Sequence, residues 1–284
     1  MPMENTFDKI TQLWVKITGR RLDENKHKWL FGPIGDTDYI ADKFIHNLAD
    51  SEGLEVVKDE KNTGLLTNMS AIGLSKHELK RLNPAISDFY TKTANYSFEF
   101  WSEWTGVFKP FGKLLSIIFS KRLQQLNLPI SAMDASKGIH SQIIQLNKGG
   151  ETKWTIWFRT LKATKKVIYS GVYTSCTPSK YVFPLLKVVF PLPNGNASVI
   201  MTHQVKEDGS LLLSSDGKKF GDNGFYFFLT NHKGKYWARY VRAMHEWIHV
   251  YVDEEGHLRA DHNLNFYGLR FLNLHYLMRE NEDS

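Results

Sequence analysis

The chain has one cysteine in 284 residues, Cys176, so no intrachain disulfide can brace it and its stability must come from packing. It also has no apolar run approaching the ~20 residues that a helix needs to cross a bilayer. The best stretch, Tyr181 to Leu192, is shorter and is interrupted by Lys187 and two prolines. The first residues, Met1 to Lys9, alternate polar and charged groups where a secretory leader requires an apolar segment. Together these absences predict a chain with no transmembrane segment that works in the reducing cytoplasm. The compact catalytic signatures are missing as well. There is no G-x-G-x-x-G, no phosphate-binding loop and no G-x-S-x-G elbow, and nothing in the sequence around Cys176 would make it a reactive thiolate. No cofactor is expected.

Acidic residues are absent from one long stretch. Between Thr152 and Lys206 there is none, while Lys153, Arg159, Lys162, Lys165, Lys166, Lys180, Lys187 and Lys206 all fall there, interleaved with aromatics from Trp154 to Phe190. That mixture suits an anionic lipid surface, an acidic ligand or a nucleic acid, so one reading of residues 152 to 206 is an interaction module for anionic surfaces. The overall charge of +6 is mild, and nucleic acid is not expected as a partner. The plainer account is a set of strands whose outer face is basic because an exposed strand face must be polar.

What the chain does have is enough apolar material, 42% hydrophobic and 13% aromatic, for one large core or two modest ones. Its patterning changes period along the length. Phe7, Ile10, Leu13, Trp14 and Ile17 share one helical face, and Tyr39, Ile40, Phe44, Ile45 and Leu48 repeat the pattern. Leu54 to Val57 reads as a short strand. Ser75 and Glu78 have capping-box spacing and predict a helix through Leu82, and Pro84 opens the next one through Tyr90. Residues 98 to 127 are dense in aromatic and aliphatic side chains, and Pro110 starts a predicted helix that runs to about Leu126. Its basic residues suit an interfacial membrane binder. They equally suit a core helix whose far side is solvated.

Beyond Gly138 the period becomes two and stays there. Candidate strands follow one another from Ser141 to Leu277, among them Tyr236 to Met244 and Trp247 to Val252. They are separated by Gly-bearing turns such as Lys148-Gly149-Gly150, Pro193-Asn194-Gly195 and Glu255-Gly256. The expected fold is therefore α+β. Mainly helical residues 1–80 precede a region over 81–284 in which a large, strongly curved antiparallel sheet, half-barrel or barrel-like, packs on the 110 to 126 helix. The absence of an obvious linker leaves one composite domain open beside this two-part division.

One segment looks like chemistry. His245-Glu246-Trp247-Ile248-His249 matches H-E-x-x-H, in which two histidines one helical turn apart hold Zn²⁺ and the glutamate polarises the bound water. A zinc-dependent hydrolase using His245, Glu246 and His249 is thus an alternative function. The pattern requires a helix, however, and the flanking β-branched and aromatic residues fit a strand, on which the two imidazoles would stand ~13 Å apart. The third histidine of one large zinc-protease class is also replaced by Glu255.

Other polar residues fall in phase with apolar strand faces. His203 alternates with Val199, Met201 and Val205, His262 with Leu258, Ala260 and Leu264, and Arg159 shares a side with Trp157. A buried imidazole must find a hydrogen-bond partner and an inward arginine an anionic one. Each therefore either lines a cavity or, more simply, is satisfied locally or exposed.

Leu82-Asn83-Pro84-Ala85-Ile86, the Trp157-Phe158-Arg159 strand and the closing Val252 to Asp261 hairpin followed by Tyr267-Gly268-Leu269 resemble a bacterial domain family of unknown function, over about residues 80 to 278. The resemblance implies an architecture, with His249 on a strand before a hairpin, and no activity. The function expected first is a non-enzymatic binding protein. Its curved sheet would enclose a cavity for a small apolar or amphipathic, lipid-like ligand, with Trp157, Arg159, His203 and His262 as ligand-binding residues and peripheral membrane contact as a further partner.

Overall fold

The computed structural model describes residues 2–35, 43–58, 60–105, 139–162, 165, 167–231 and 233–281. The helix expected over 110 to 126 lies outside the described residues. The N-terminal part supplies four helices, α1 (Pro2–Thr18), α2 (Lys43–Glu52), α3 (Lys76–Arg81) and α4 (Pro84–Thr91), with two short strands, β1 (Arg20–Arg21) and β2 (Glu55–Lys58). The capping box forms as expected: Ser75 Oγ accepts from the Glu78 amide at 3.3 Å, and the Glu78 carboxylate accepts from the Ser75 amide at 2.8 Å. Pro84 occupies the first turn of α4, where a missing N–H costs nothing.

The remaining strands are β3 (Tyr96–Trp104), β4 (Ile139–Lys148), β5 (Glu151–Leu161), β6 (Val167–Cys176), β7 (Leu185–Leu192), β8 (Gly195–Val205), β9 (Leu211–Ser214), β10 (Gly224–Thr230), β11 (Tyr236–Tyr240), β12 (Met244–Val252), β13 (Leu258–Phe266) and β14 (Leu269–Glu280). They form one 14-stranded sheet in the order β2-β4-β5-β6-β7-β8-β9-β12-β13-β14-β3. Strand β8 is the fork. Gly195 to Ile200 pair with β10, which carries β11 and β1 beyond it, while Thr202 to Val205 pair with β9. The strand pairs are antiparallel and, among the described residues, the path is open, so the barrel-like closure is not formed. Strands β1 and β2, from the first 80 residues, pair with β11 and β4 of the C-terminal region.

Two elements depart from expectation. Strand β3 falls where an aromatic lead-in to a helix was expected; its alternation, with Tyr96, Phe98 and Phe100 buried and Ser97 and Glu99 exposed, is that of a strand with one wet face. The predicted strand Tyr236 to Met244 is broken at 241–243. There the Met244 amide bonds to the Val241 carbonyl and the chain passes from β10's side of the fork to β9's.

Both faces of the central strands are covered, which is why β7 and β8 read as nearly continuous apolar runs. On the outer face, α2 buries Phe44, Ile45 and Leu48 against Ile144, Ile156 and Val172, and Leu30 packs on Leu185, Ile200 and Tyr226. The same outer layer hides Lys187, 1% exposed, whose ammonium donates to the carbonyls of Trp29 and Phe31 at 2.9 and 2.7 Å. On the inner face a single cluster joins residues of α4 with strands far apart in the pairing order: Phe98 of β3 lies 5.1 Å, ring to ring, from Trp157 of β5.

Candidate functional site

Because strand side chains alternate between faces, the inner face is reached by even-numbered residues of β3, β12, β13 and β14 and by odd-numbered residues of β5, β6, β8 and β9. Between them, and beneath α4, is a cavity of about 200 Å³. An engineered apolar cavity of about 150 Å³ holds benzene, so the space is enough for part of a small amphiphile. Its wall is apolar and aromatic except for Arg159, Glu246, His262 and the hydroxyls of Tyr90, Tyr169, Tyr173 and Tyr276.

Arg159 is the unusual member. It is 5% exposed, and its guanidinium carbon stands 3.4 Å from the centre of the Trp157 ring, 4.9 Å from Tyr169, 5.3 Å from Phe98 and 5.5 Å from Tyr276. Guanidinium stays charged in proteins, so burial cannot be relieved by losing a proton. The ring faces return part of the lost hydration. Tyr276 offers a hydroxyl, yet among the described residues Nε has no hydrogen-bond partner and no carboxylate forms an ion pair with the group. The phenols supply no charge either. Burial raises Tyr169 well above its ordinary value and Tyr173 to about 12, and it raises Tyr276 despite the opposing pull of Arg159. Tyr169 and Tyr173 hydrogen-bond each other at 3.0 Å.

The cavity's carboxylate, Glu246, is 6% exposed and is held instead by His262 Nε2 at 2.6 Å. The two lie diagonally on adjacent strands, since Glu246 pairs in register with Leu264 and His262 with Ile248.

Of the residues singled out from the sequence, Trp157, Arg159 and His262 come together on this cavity. His203 does not: it faces the same side of β8 further along and contacts Glu78 at 3.6 Å. The zinc arrangement of His245, Glu246 and His249 is not formed. These residues lie on β12, so Glu246 faces the cavity while His245 and His249 face away, bonded to the Ser215 carbonyl at 3.2 Å and the Ser210 hydroxyl at 2.9 Å. Of the cations in the acid-free stretch 152 to 206, these four are buried or paired with an acid. Arg159 and Lys187 are buried, Lys153 is paired with Glu52 at 2.6 Å, and Lys180 with Asp222 at 2.9 Å. Missed from the sequence as site residues were Tyr90 of α4, the strand tyrosines Tyr169, Tyr173 and Tyr276, whose parity on their strands was available, and Phe98, whose strand β3 was not expected.

Among the described residues, no helix is long and apolar enough to cross a membrane. No known family profile matches the chain, and no solved structure matches it. The chain is similar to the Uncharacterized membrane protein YndJ of Bacillus subtilis (strain 168), 24% identical over 250 residues, which is 84% of this chain and 41% of that protein. The chain thus spans about two fifths of the length of the curated relative it matches, and that likeness, to a protein with no assigned activity, accords with the resemblance to an uncharacterised family.

Proposed function

We propose that the chain is a binding protein for a small apolar or amphipathic, lipid-like ligand, held inside the curled sheet with its anionic end on Arg159. The observation that carries this reading is a permanent cation, 5% exposed, turned into an apolar cavity with no carboxylate partner among the described residues. An uncompensated buried charge is costly, and a ligand carboxylate or phosphate would supply the missing partner. Trp157 would flank the head group, and Glu246 with His262 would meet a hydroxyl or amine elsewhere on the ligand. That the similar Bacillus protein is named a membrane protein supports a site of action at a membrane surface.

The test is native mass spectrometry, with organic extraction, of the protein produced in a bacterial host. An anionic amphiphile should co-purify with the wild type and be lost from Arg159→Met. If neither form carries a ligand, and the fluorescent fatty acid cis-parinarate does not bind the wild type, the reading is wrong.

A further inference from the structure

We propose that the tip of the β13–β14 hairpin, Phe266-Tyr267-Gly268-Leu269, is a docking surface for an anionic lipid bilayer. Three large apolar side chains project there in immediate succession, Phe266 40%, Tyr267 79% and Leu269 59% exposed. Burial in the protein does not explain them. The turn makes the choice of residue still less expected. Tyr267 has φ +50° and Gly268 φ +80°, the left-handed pair of a two-residue hairpin turn, where Asn-Gly or Asp-Gly avoids strain and a bulky aromatic does not. The chain therefore holds a tyrosine outward at a position that disfavours it.

The charge around the tip selects the occupant. Arg242 and Arg270 are both exposed, and the Tyr267 amide bonds to the Ala243 carbonyl, which brings the 241–243 turn against the hairpin. No acidic residue occurs between Asp261 and Arg279. An apolar, aromatic tip flanked by two exposed arginines is complementary to the anionic headgroup region of a membrane, where tyrosine is at home with its ring among acyl chains and its hydroxyl in the headgroups.

The residues of β14 that follow the tip lead back to the cavity wall. Phe271, Leu272 and Leu274 form one cluster with Trp104, Met244, Leu264 and Tyr276, and Met244, Leu264, Leu274 and Tyr276 line the cavity itself. Docking would set this end of the sheet against the bilayer, from which a lipid-like ligand could enter. That last purpose rests on the ligand reading above; the membrane contact does not.

The experiment is co-sedimentation with vesicles of phosphatidylcholine containing about one third phosphatidylglycerol, against pure phosphatidylcholine, with cis-parinarate binding in solution measured in parallel. The wild type should bind the anionic vesicles, and less so at high salt. Tyr267→Asn with Leu269→Ser should weaken binding at least about tenfold, because each removes a side chain's apolar burial, and Arg242→Gln with Arg270→Gln should weaken it to a similar degree. Both pairs lie on the surface, and Asn tolerates the left-handed turn, so thermal melts should match the wild type. Vesicle binding unchanged in the tip variant would overturn the proposal, as would equal binding to pure phosphatidylcholine, or a dimer in sedimentation velocity that the tip variant abolishes. Parinarate binding with no vesicle binding refutes the surface and leaves the cavity reading standing; tip-dependent vesicle binding without parinarate binding does the reverse.

Discussion

Replacing Arg159 by methionine should act with opposite sign on stability and on ligand binding. In the ligand-free protein the guanidinium has lost its water, which costs several kcal/mol. It recovers about 2 kcal/mol from ring faces and a further ~1.5–3 kcal/mol from the Tyr276 hydroxyl, with Nε left unpaired. Methionine fills a similar volume and removes the charge, so the empty protein should be unchanged or stabilised by about 0–3 kcal/mol, at roughly 2–4 °C of Tm per kcal/mol for a chain of this size. Binding of an anionic amphiphile should weaken by about 2–5 kcal/mol, the usual penalty for truncating one partner of a buried charge pair. Urea unfolding of delipidated protein and titration with cis-parinarate measure the two quantities. If the variant is instead destabilised by about 3–5 kcal/mol, Arg159 has a structural partner within the chain and the argument for an anionic ligand collapses.

Substituting His262 by phenylalanine should destabilise by about 3–5 kcal/mol by leaving Glu246 buried without its partner, and adding Glu246→Leu should recover most of that in a urea double-mutant cycle. Burial lowers the Lys187 amine to about 8, so the unfolded chain holds an extra proton above that pH; stability due to this group should rise between about pH 8 and 10.5 by up to about 3 kcal/mol. Burial of Cys176, raised to about 11, works the other way above pH 9, so the rise is best read as wild type minus Lys187→Met in chemical denaturation, and parallel curves would refute it. Ser75→Ala removes the cap of α3 and should cost about 1 kcal/mol in thermal melts, with parinarate binding unchanged.

The strands were legible because period-two alternation and glycine turns are local signals, and each candidate strand between Ser141 and Leu277 has a counterpart among β4 to β14. What the sequence hides is which strands meet. Phe98 and Trp157 share one core because the ends of the strand path approach each other, and nothing near either residue encodes that. Strand β3 was not expected for a related reason: Phe98, Phe100, Trp101 and Trp104 read only as an aromatic approach to the helix at Pro110, and it is pairing with β14 that makes this segment a strand. The fork at β8 is likewise invisible, since it depends on β9 and β10 competing for successive halves of the same edge.

The H-E-x-x-H segment shows how one local choice determines the chemistry. On a helix, four-residue spacing would bring His245 and His249 to one metal; on β12, parity sends both outward and turns Glu246 inward, where it meets a histidine that the motif does not contain. That meeting depends on the register of the β12–β13 hairpin, in which Val252 pairs with Leu258 across the turn at Asp253 to His257. A slip of one residue in β13 would carry His262 to the outer face and leave Glu246 stranded among apolar side chains, a state several kcal/mol worse. The buried pair therefore penalises a slipped register, as the alternating apolar residues also do. In the same way, the parity of β5 that buries Trp157 obliges Arg159, two residues on, to enter the cavity with its charge.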